Sequence, residues 1–298
     1  MFKVTRNPVY DFTGQSYATM YPNLHPYPAT MIPQIGVELF KELNIKKGNM
    51  LDPYCGSGSS FIVGLDRGLQ EMYGYDINPL AVLISRTKFT KIDISKVKSI
   101  KQKLRNYVYE LVKNESNLND VEIPFYNNID YWFSKSALQY LAVLRLFIMK
   151  MSDKDIRRIF LLPLSEAIRA CSYVRKGEFK LYRMMPDDVK NFNPDILGIY
   201  FSKLNAVIDK YEQYYLPKLR RQSSIKIDYK KFEKRENYYD AILTSPPYGD
   251  SRTTVAYGQF SQFANEWFGI KHARKIDGLL MGGRIAKIDY GSGVIAPH

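Results

Sequence analysis

Between Ile32 and Leu43 the apolar residues of IPQIGVELFKEL fall at helical spacing, and a short helix is predicted there. Upstream, prolines at 8, 22, 26, 28 and 33 exclude a long helix and leave an aromatic, Pro-rich arm. Downstream the period shortens. Met50 and Leu51 end a short strand, Gly56 to Gly58 make a tight turn, and Ser59 to Leu65 begin a helix. A second short strand, Met72 to Tyr75, ends at Asp76, and a helix starts near Pro79, where proline is well tolerated. Strand, glycine turn, helix, strand and acid make one parallel βαβ unit.

From about residue 95 to 235 this alternation stops. YWFSKSALQYLAVLRLFIMKMSDKDIRRIFLLPLSEAIRAC reads as mainly helical, with a break at Met151 to Asp155 and another expected at Pro163. SYVRKGEFKLYRMMPDD reads as a basic loop or hairpin, and NPDILGIYFSKLNAVIDKYEQYYLPKL as a further helix. Ala241 to Thr244 is a short apolar run that fits a buried strand. Three segments follow: an arm with the first half of an α/β domain (1–94), a helical, basic insertion suited to target recognition (95–235), and a second, shortened half of the domain (236–298). The predicted fold class is α/β.

Composition narrows the chemistry. Apolar residues make up 45% of the 298 and charged residues 24%, enough for a core without a membrane span. MFKVTRNPVYDF lacks the apolar stretch of a signal peptide, so the expected compartment is the cytoplasm. Two cysteines, Cys55 and Cys171, provide no disulfide framework, and three scattered histidines argue against a metal site or a serine hydrolase triad. A net charge of +13 suits a polyanionic partner such as nucleic acid. The basic stretch Arg86 to Arg105 reads as a solvated helix face. The loop Val174 to Arg183 mixes Arg175, Lys176, Lys180 and Arg183 with Phe179 and Tyr182 around a glycine, which suits entry into a DNA groove. Lys218 to Arg235 is a third basic stretch.

Two motifs carry candidate chemistry. DPYCGSG, Asp52 to Gly58, sits at a strand-to-helix turn whose glycines let a ligand approach the backbone. Asp76, at the end of the next strand, is placed to accept hydrogen bonds from ribose hydroxyls. The loop is not a phosphate-binding P-loop. A carboxylate at Asp52 would repel a pyrophosphate but could pair with a ligand ammonium, so a nucleoside bearing an amino acid, S-adenosylmethionine, fits better than a dinucleotide. The second motif is TSPPY, Thr244 to Tyr248. Its two prolines stiffen the turn, its carbonyls can meet an external donor, and Tyr248 offers a π-face. A flat ligand with an amino group satisfies both demands, and a base reached this way leaves its duplex.

DPYCGSG together with TSPPY resembles the amino-methyltransferases of DNA, which modify cytosine N4 or adenine N6. HPYPATMIP, His25 to Pro33, looks like their N-terminal cofactor motif. The resemblance implies a Rossmann-like methyltransferase sheet. In it Asp52, Tyr54, Gly56, Ser57 and Gly58 border the methionine moiety, Asp76 holds ribose with Ile77 beside the adenine, and Asn78 also belongs to the cofactor site. Tyr27, Pro28, Ala29 and Thr30 close over the cofactor, and Ser245, Pro246, Pro247 and Tyr248 hold the base. Serine in the first position of the second motif favours cytosine N4 over adenine N6. Neither cysteine follows a proline, which argues against cytosine-C5 chemistry. The implied partner is double-stranded DNA, in a restriction-modification setting. The family pattern has three more strands after the Pro-Pro strand, and the stretch beyond Tyr248 is too short for them. A complementing methyltransferase subunit or a restriction enzyme partner is therefore an open expectation. RNA or a protein glutamine as substrate, and a non-catalytic DNA-binding subunit, are the competing readings.

Overall fold

A computed structural model describes residues 6–14, 21–28, 30–69, 71–113, 118–219, 224–228, 237–246 and 255–279. Ala29, Pro247, Tyr248, Asp250 to Thr254 and much of the Lys218–Arg235 stretch lie outside them. The predicted helix appears as α1 (Pro33–Glu42), and the βαβ unit as β1 (Asn49–Asp52), α2 (Ser59–Arg67), β2 (Glu71–Tyr75) and α3 (Pro79–Phe89). Asn78 caps α3, its side chain accepting from Leu80 N with Pro79 in the first turn.

Helices α4 (Ile94–Val112), α5 (Ile129–Trp132), α6 (Lys135–Met149), α7 (Lys154–Ala170), α8 (Pro186–Asn191), α9 (Ile196–Lys210) and α10 (Leu216–Leu219) follow. A π turn, Tyr211–Tyr215, joins the last two. Then come β3 (Ser224–Asp228), β4 (Ala241–Ile242), α11 (Tyr257–Trp267) and α12 (Ile276–Leu279).

The break after Met149 is where the pattern put it. Pro163 does not end a helix: it lies inside α7, which runs unbroken through it. An internal proline forfeits a backbone hydrogen bond, a cost of about 3 kcal/mol in an isolated helix. Tertiary burial offsets this, because Ile159, Phe160, Leu162, Leu164, Ala167 and Ile168 of α7 are wholly buried. The helix packs against α3, α4, α6, α9 and α11. The insertion thus shares one core with the sheet domain.

The four strands are all parallel, in the order β3-β2-β1-β4. β3 lies within the stretch expected to be helical and basic. Ile225 and Ile227 alternate with Lys226 there, and the pattern is too short to stand out among the surrounding lysines and arginines. β4 is shorter than expected, although Leu243 N still donates to Leu51 O at 3.1 Å. From β1 the chain builds outward to β2 and β3, then crosses back to place β4 on β1's other side. The order therefore reverses between β1 and β4, and a crevice at the carboxyl ends of those strands is where open α/β sheets bind ligands. Among the described residues no helix is long and apolar enough to cross a membrane.

Candidate functional site

β1 and β4 pair in parallel with Leu51 opposite Ile242. Asn49 and Asp240, 191 residues apart, exchange hydrogen bonds at the strands' other end. This pairing brings Asp52 beside Thr244, so the glycine loop and the described start of the second motif lie at the same end of adjacent strands.

The glycine loop is tied from several directions. Asp52 is buried; its carboxylate accepts from Ser60 Oγ at 2.5 Å and from Tyr54 N at 3.0 Å. Burial pushes its pKa up, while Ser60, Thr244 and the Tyr54 N–H pull the other way. Thr244 Oγ1 is buried near this carboxylate without a well-formed hydrogen bond. Cys55 N donates to Tyr75 O at 2.9 Å and Gly58 N to Cys55 O at 2.7 Å. From α3, Ser85 Oγ donates to Gly56 O at 2.6 Å and Lys88 Nζ to Ser57 O at 2.9 Å.

The two glycines do different work. Both have positive φ, +49° and +85°. A Cβ on Gly56 would meet nothing within 4 Å, so this residue leaves open space over the loop. A Cβ on Gly58 would come within 2.6 Å of Phe89, so that glycine lets α3 approach.

Asp76 follows β2 and is half-buried. One carboxylate oxygen accepts from Gly56 N at 2.9 Å, the other from Asn78 N at 2.8 Å. Burial pushes its pKa up to about 6, nearby Asp52 adds to the rise, and the two N–H groups oppose it. A carboxylate has about four acceptor sites, so each oxygen retains one for a ligand hydroxyl. Ile77 beside it is 46% exposed, a large apolar side chain next to the acid.

Asn78 is placed differently from a ligand-facing residue. It is 0% exposed. Its Nδ2 donates to Tyr27 Oη at 3.1 Å and Ser261 Oγ at 3.0 Å, and its Oδ1 accepts from Asn265 Nδ2 at 3.3 Å. This one side chain joins the end of β2, the N-terminal arm and α11. Tyr27 and Pro28 are buried, and Thr30 is half-buried. The Tyr27 ring packs on Tyr257 and edge-on to Phe260. Asp76 is close enough to Tyr27 to add to the upward push of burial on its phenol, which sets the arm next to the acid. His25 is buried against α7. Ser165 Oγ donates to Leu162 O at 2.6 Å, so His25 Nε2–H donates to Ser165 at 2.9 Å. Burial together with Lys203 and Lys88 lowers the imidazole pKa to about 3, so the ring is neutral.

In the second motif Ser245 and Pro246 are exposed at the carboxyl end of β4. The loop Val174–Arg183 is a hairpin: Val174 bridges Arg183 and Arg175 N donates to Tyr182 O at 2.8 Å. Arg175 at its paired base and Lys176 beyond it are exposed, and Lys180 is half-buried. Arg183 is committed inward, over the Tyr131 and Tyr173 rings, with Nε donating to Tyr131 O at 2.9 Å. Arg169 of α7 anchors the far side, donating to the carbonyls of Glu178, Phe179 and Lys180 with its guanidinium 5.0 Å from the Phe260 ring. Leu181 N donates to Gln259 of α11 at 3.2 Å. The hairpin is thereby fixed to the helix that follows the second motif.

Sequence reasoning missed Ser60, Ser85, Lys88, Arg169, Ser261 and Asn265. Ser85 and Lys88 carried one faint signal, a spacing of three on a helix that follows the acid.

Compared with known proteins, the chain is 35% identical over 285 residues to the Type II methyltransferase M.MvaI of Kocuria varians. The chain resembles the DNA methyltransferases. The match takes in 88% of this chain and 62% of that relative, so the chain spans about three-fifths of the relative's length. No family model and no solved structure matches. With this similarity the parallel sheet and its helical insertion are a Rossmann-like methyltransferase fold, as the two motifs implied.

Proposed function

We propose that this chain transfers a methyl group from S-adenosylmethionine to the exocyclic amine of a base flipped from double-stranded DNA, cytosine N4 rather than adenine N6, within a restriction-modification system. The observation that supports this reading is the parallel pairing of β1 with β4, which brings the glycine loop and Ser245–Pro246 to the same end of adjacent strands. The residues present fit the cofactor. Asp76 keeps acceptor capacity for two ribose hydroxyls, Ile77 provides an apolar wall for adenine, and the space over Gly56 admits the methionine end beside Tyr54 and Ser57. Asp52 shapes the loop and lends negative charge toward the ligand ammonium. Tyr27 to Thr30 cover the nucleoside. Asn78 holds Asp76, the arm and α11 in register without touching the ligand.

The cofactor supplies an electrophilic methyl on a sulfonium. In this proposal the amine donates hydrogen bonds to Ser245 and to the Pro246 carbonyl, which turns its nitrogen lone pair toward that methyl, and Tyr248 stacks on the base. Arg175 and Lys176, with Lys180 behind them, meet phosphates, while Arg183 stiffens the hairpin from within. At β4, Ile242 is 64% exposed on the edge of the described sheet, which favours a further strand joining there from a complementing methyltransferase subunit or from additional chain.

Incubation with radiolabelled S-adenosylmethionine and duplex DNA, followed by nucleoside mass spectrometry, tests the reading. N4-methylcytosine is expected. N6-methyladenine would overturn the base choice, and label in RNA or protein alone would overturn the substrate. Activity that appears only after the neighbouring gene product is added would identify a complementing subunit.

A further inference from the structure

Lys88 has no task in the reading above. The sequence placed it on a solvated basic face, yet it is 0% exposed. Its ammonium donates to Ser57 O at 2.9 Å, and among the described residues no carboxylate pairs with it. Burying a cation without a counter-charge is costly, and here it pushes the pKa down to about 7. His25, whose pKa Lys88 and Lys203 help to lower, is neutral, and Lys203 is paired with Glu166. Two further observations belong to the same few residues. Ser57 Oγ is buried without a partner. Helix α2 starts directly after the loop, at Gly58, with no side-chain cap on its first N–H groups. An unneutralised cation, an unpartnered hydroxyl and an uncapped helix start all favour negative charge over this loop.

We propose that Lys88 is the buried counter-charge that makes the glycine loop select a nucleoside bearing a carboxylate. It acts through the Ser57 peptide and does not touch the ligand, so it is a positioning residue that sets specificity. Together with Ser85 it holds two consecutive loop carbonyls from α3, and it supplies positive potential in a medium where solvent screening is weak. The proposal rests on the S-adenosylmethionine reading and deepens it.

The test is calorimetric titration of the full chain with S-adenosylmethionine and with its decarboxylated analogue, which lacks the carboxylate alone. Lys88→Met removes charge and donor; Lys88→Gln keeps a polar donor without the charge, and thermal melts establish that either variant is folded. The wild type is expected to prefer the carboxylate form. Each variant is expected to lose about tenfold in affinity for S-adenosylmethionine while its affinity for the analogue stays within about twofold. Equal losses for both ligands would reduce Lys88 to a loop support and overturn the proposal, as would no change for either. A wild type that binds neither ligand would overturn the cofactor reading itself.

Discussion

The glycine loop after β1 and the turn after β4 lie side by side on one sheet but are held in opposite ways. The loop is gripped by Asp52 and Ser60, by the Asp76 carboxylate and by Ser85 and Lys88 from α3. The described part of the turn, Ser245 and Pro246, is exposed. A site tied on every side is ready for a small ligand before it arrives. A rigid but open turn suits a partner that arrives as part of something larger and completes the site. The difference predicts that substitutions in the two regions separate cofactor binding from methyl transfer.

The sharpest test of that separation is at the turn. Ser245→Ala with Pro246→Ala is expected to lower the methylation rate by about a hundredfold or more, with S-adenosylmethionine affinity unchanged within about twofold. Loss of cofactor binding in this variant would break the comparison. At the loop, Asp76→Ala removes an anchor for Gly56 and an acceptor for ribose. It is expected to weaken cofactor binding by about a hundredfold, as read by calorimetry.

A smaller effect concerns pH. Ribose hydroxyls donate to ionised Asp76, so ligand lowers its pKa and binding releases a proton. Cofactor affinity is therefore expected to rise with pH up to about 6, and to fall again above about 7 as Lys88 loses its charge. Asp76→Asn should flatten the rising limb alone; an unchanged rise would assign that titration elsewhere.

Outside both regions, at the end of β2, is Asn78, which neither binds ligand nor forms the turn. Asn78→Leu is expected to cost about 2–3 kcal/mol in chemical denaturation, because Tyr27, Ser261 and Asn265 lose a buried partner together. The smallest effect is expected from Arg169→Met, which frees the hairpin carbonyls from α7 while Leu181 stays tied to Gln259 of α11. Duplex DNA affinity should fall about fivefold with cofactor affinity intact; an equal fall in both would mean the hairpin supports the loop as well.

Much of this site was legible because its signals are local. A glycine pair after a short apolar run, an acid one βα unit later and a Pro-Pro turn each restrict the backbone wherever they occur. What escaped was set by burial. Asn78, two residues after the acid, reads as a ligand contact until three elements are seen to converge on it. Lys88 reads as surface until α3 is turned against the loop. Pro163 reads as a helix end until α7 is surrounded, and β3 reads as part of a basic stretch until β2 pairs with it.

The sequence by itself determined the α/β class, the glycine loop and the position of the acid, because residue types at short spacing dictate φ and hydrogen-bonding capacity directly. Only the tertiary structure decided that β4 returns to β1's free side and joins motifs 191 residues apart at Asn49 and Asp240. It also decided which polar side chains stay accessible at the ends of the strands and which are spent inside. Strand order and burial depend on contacts between distant segments, and those contacts are energetically decided by the whole core rather than by any local pattern.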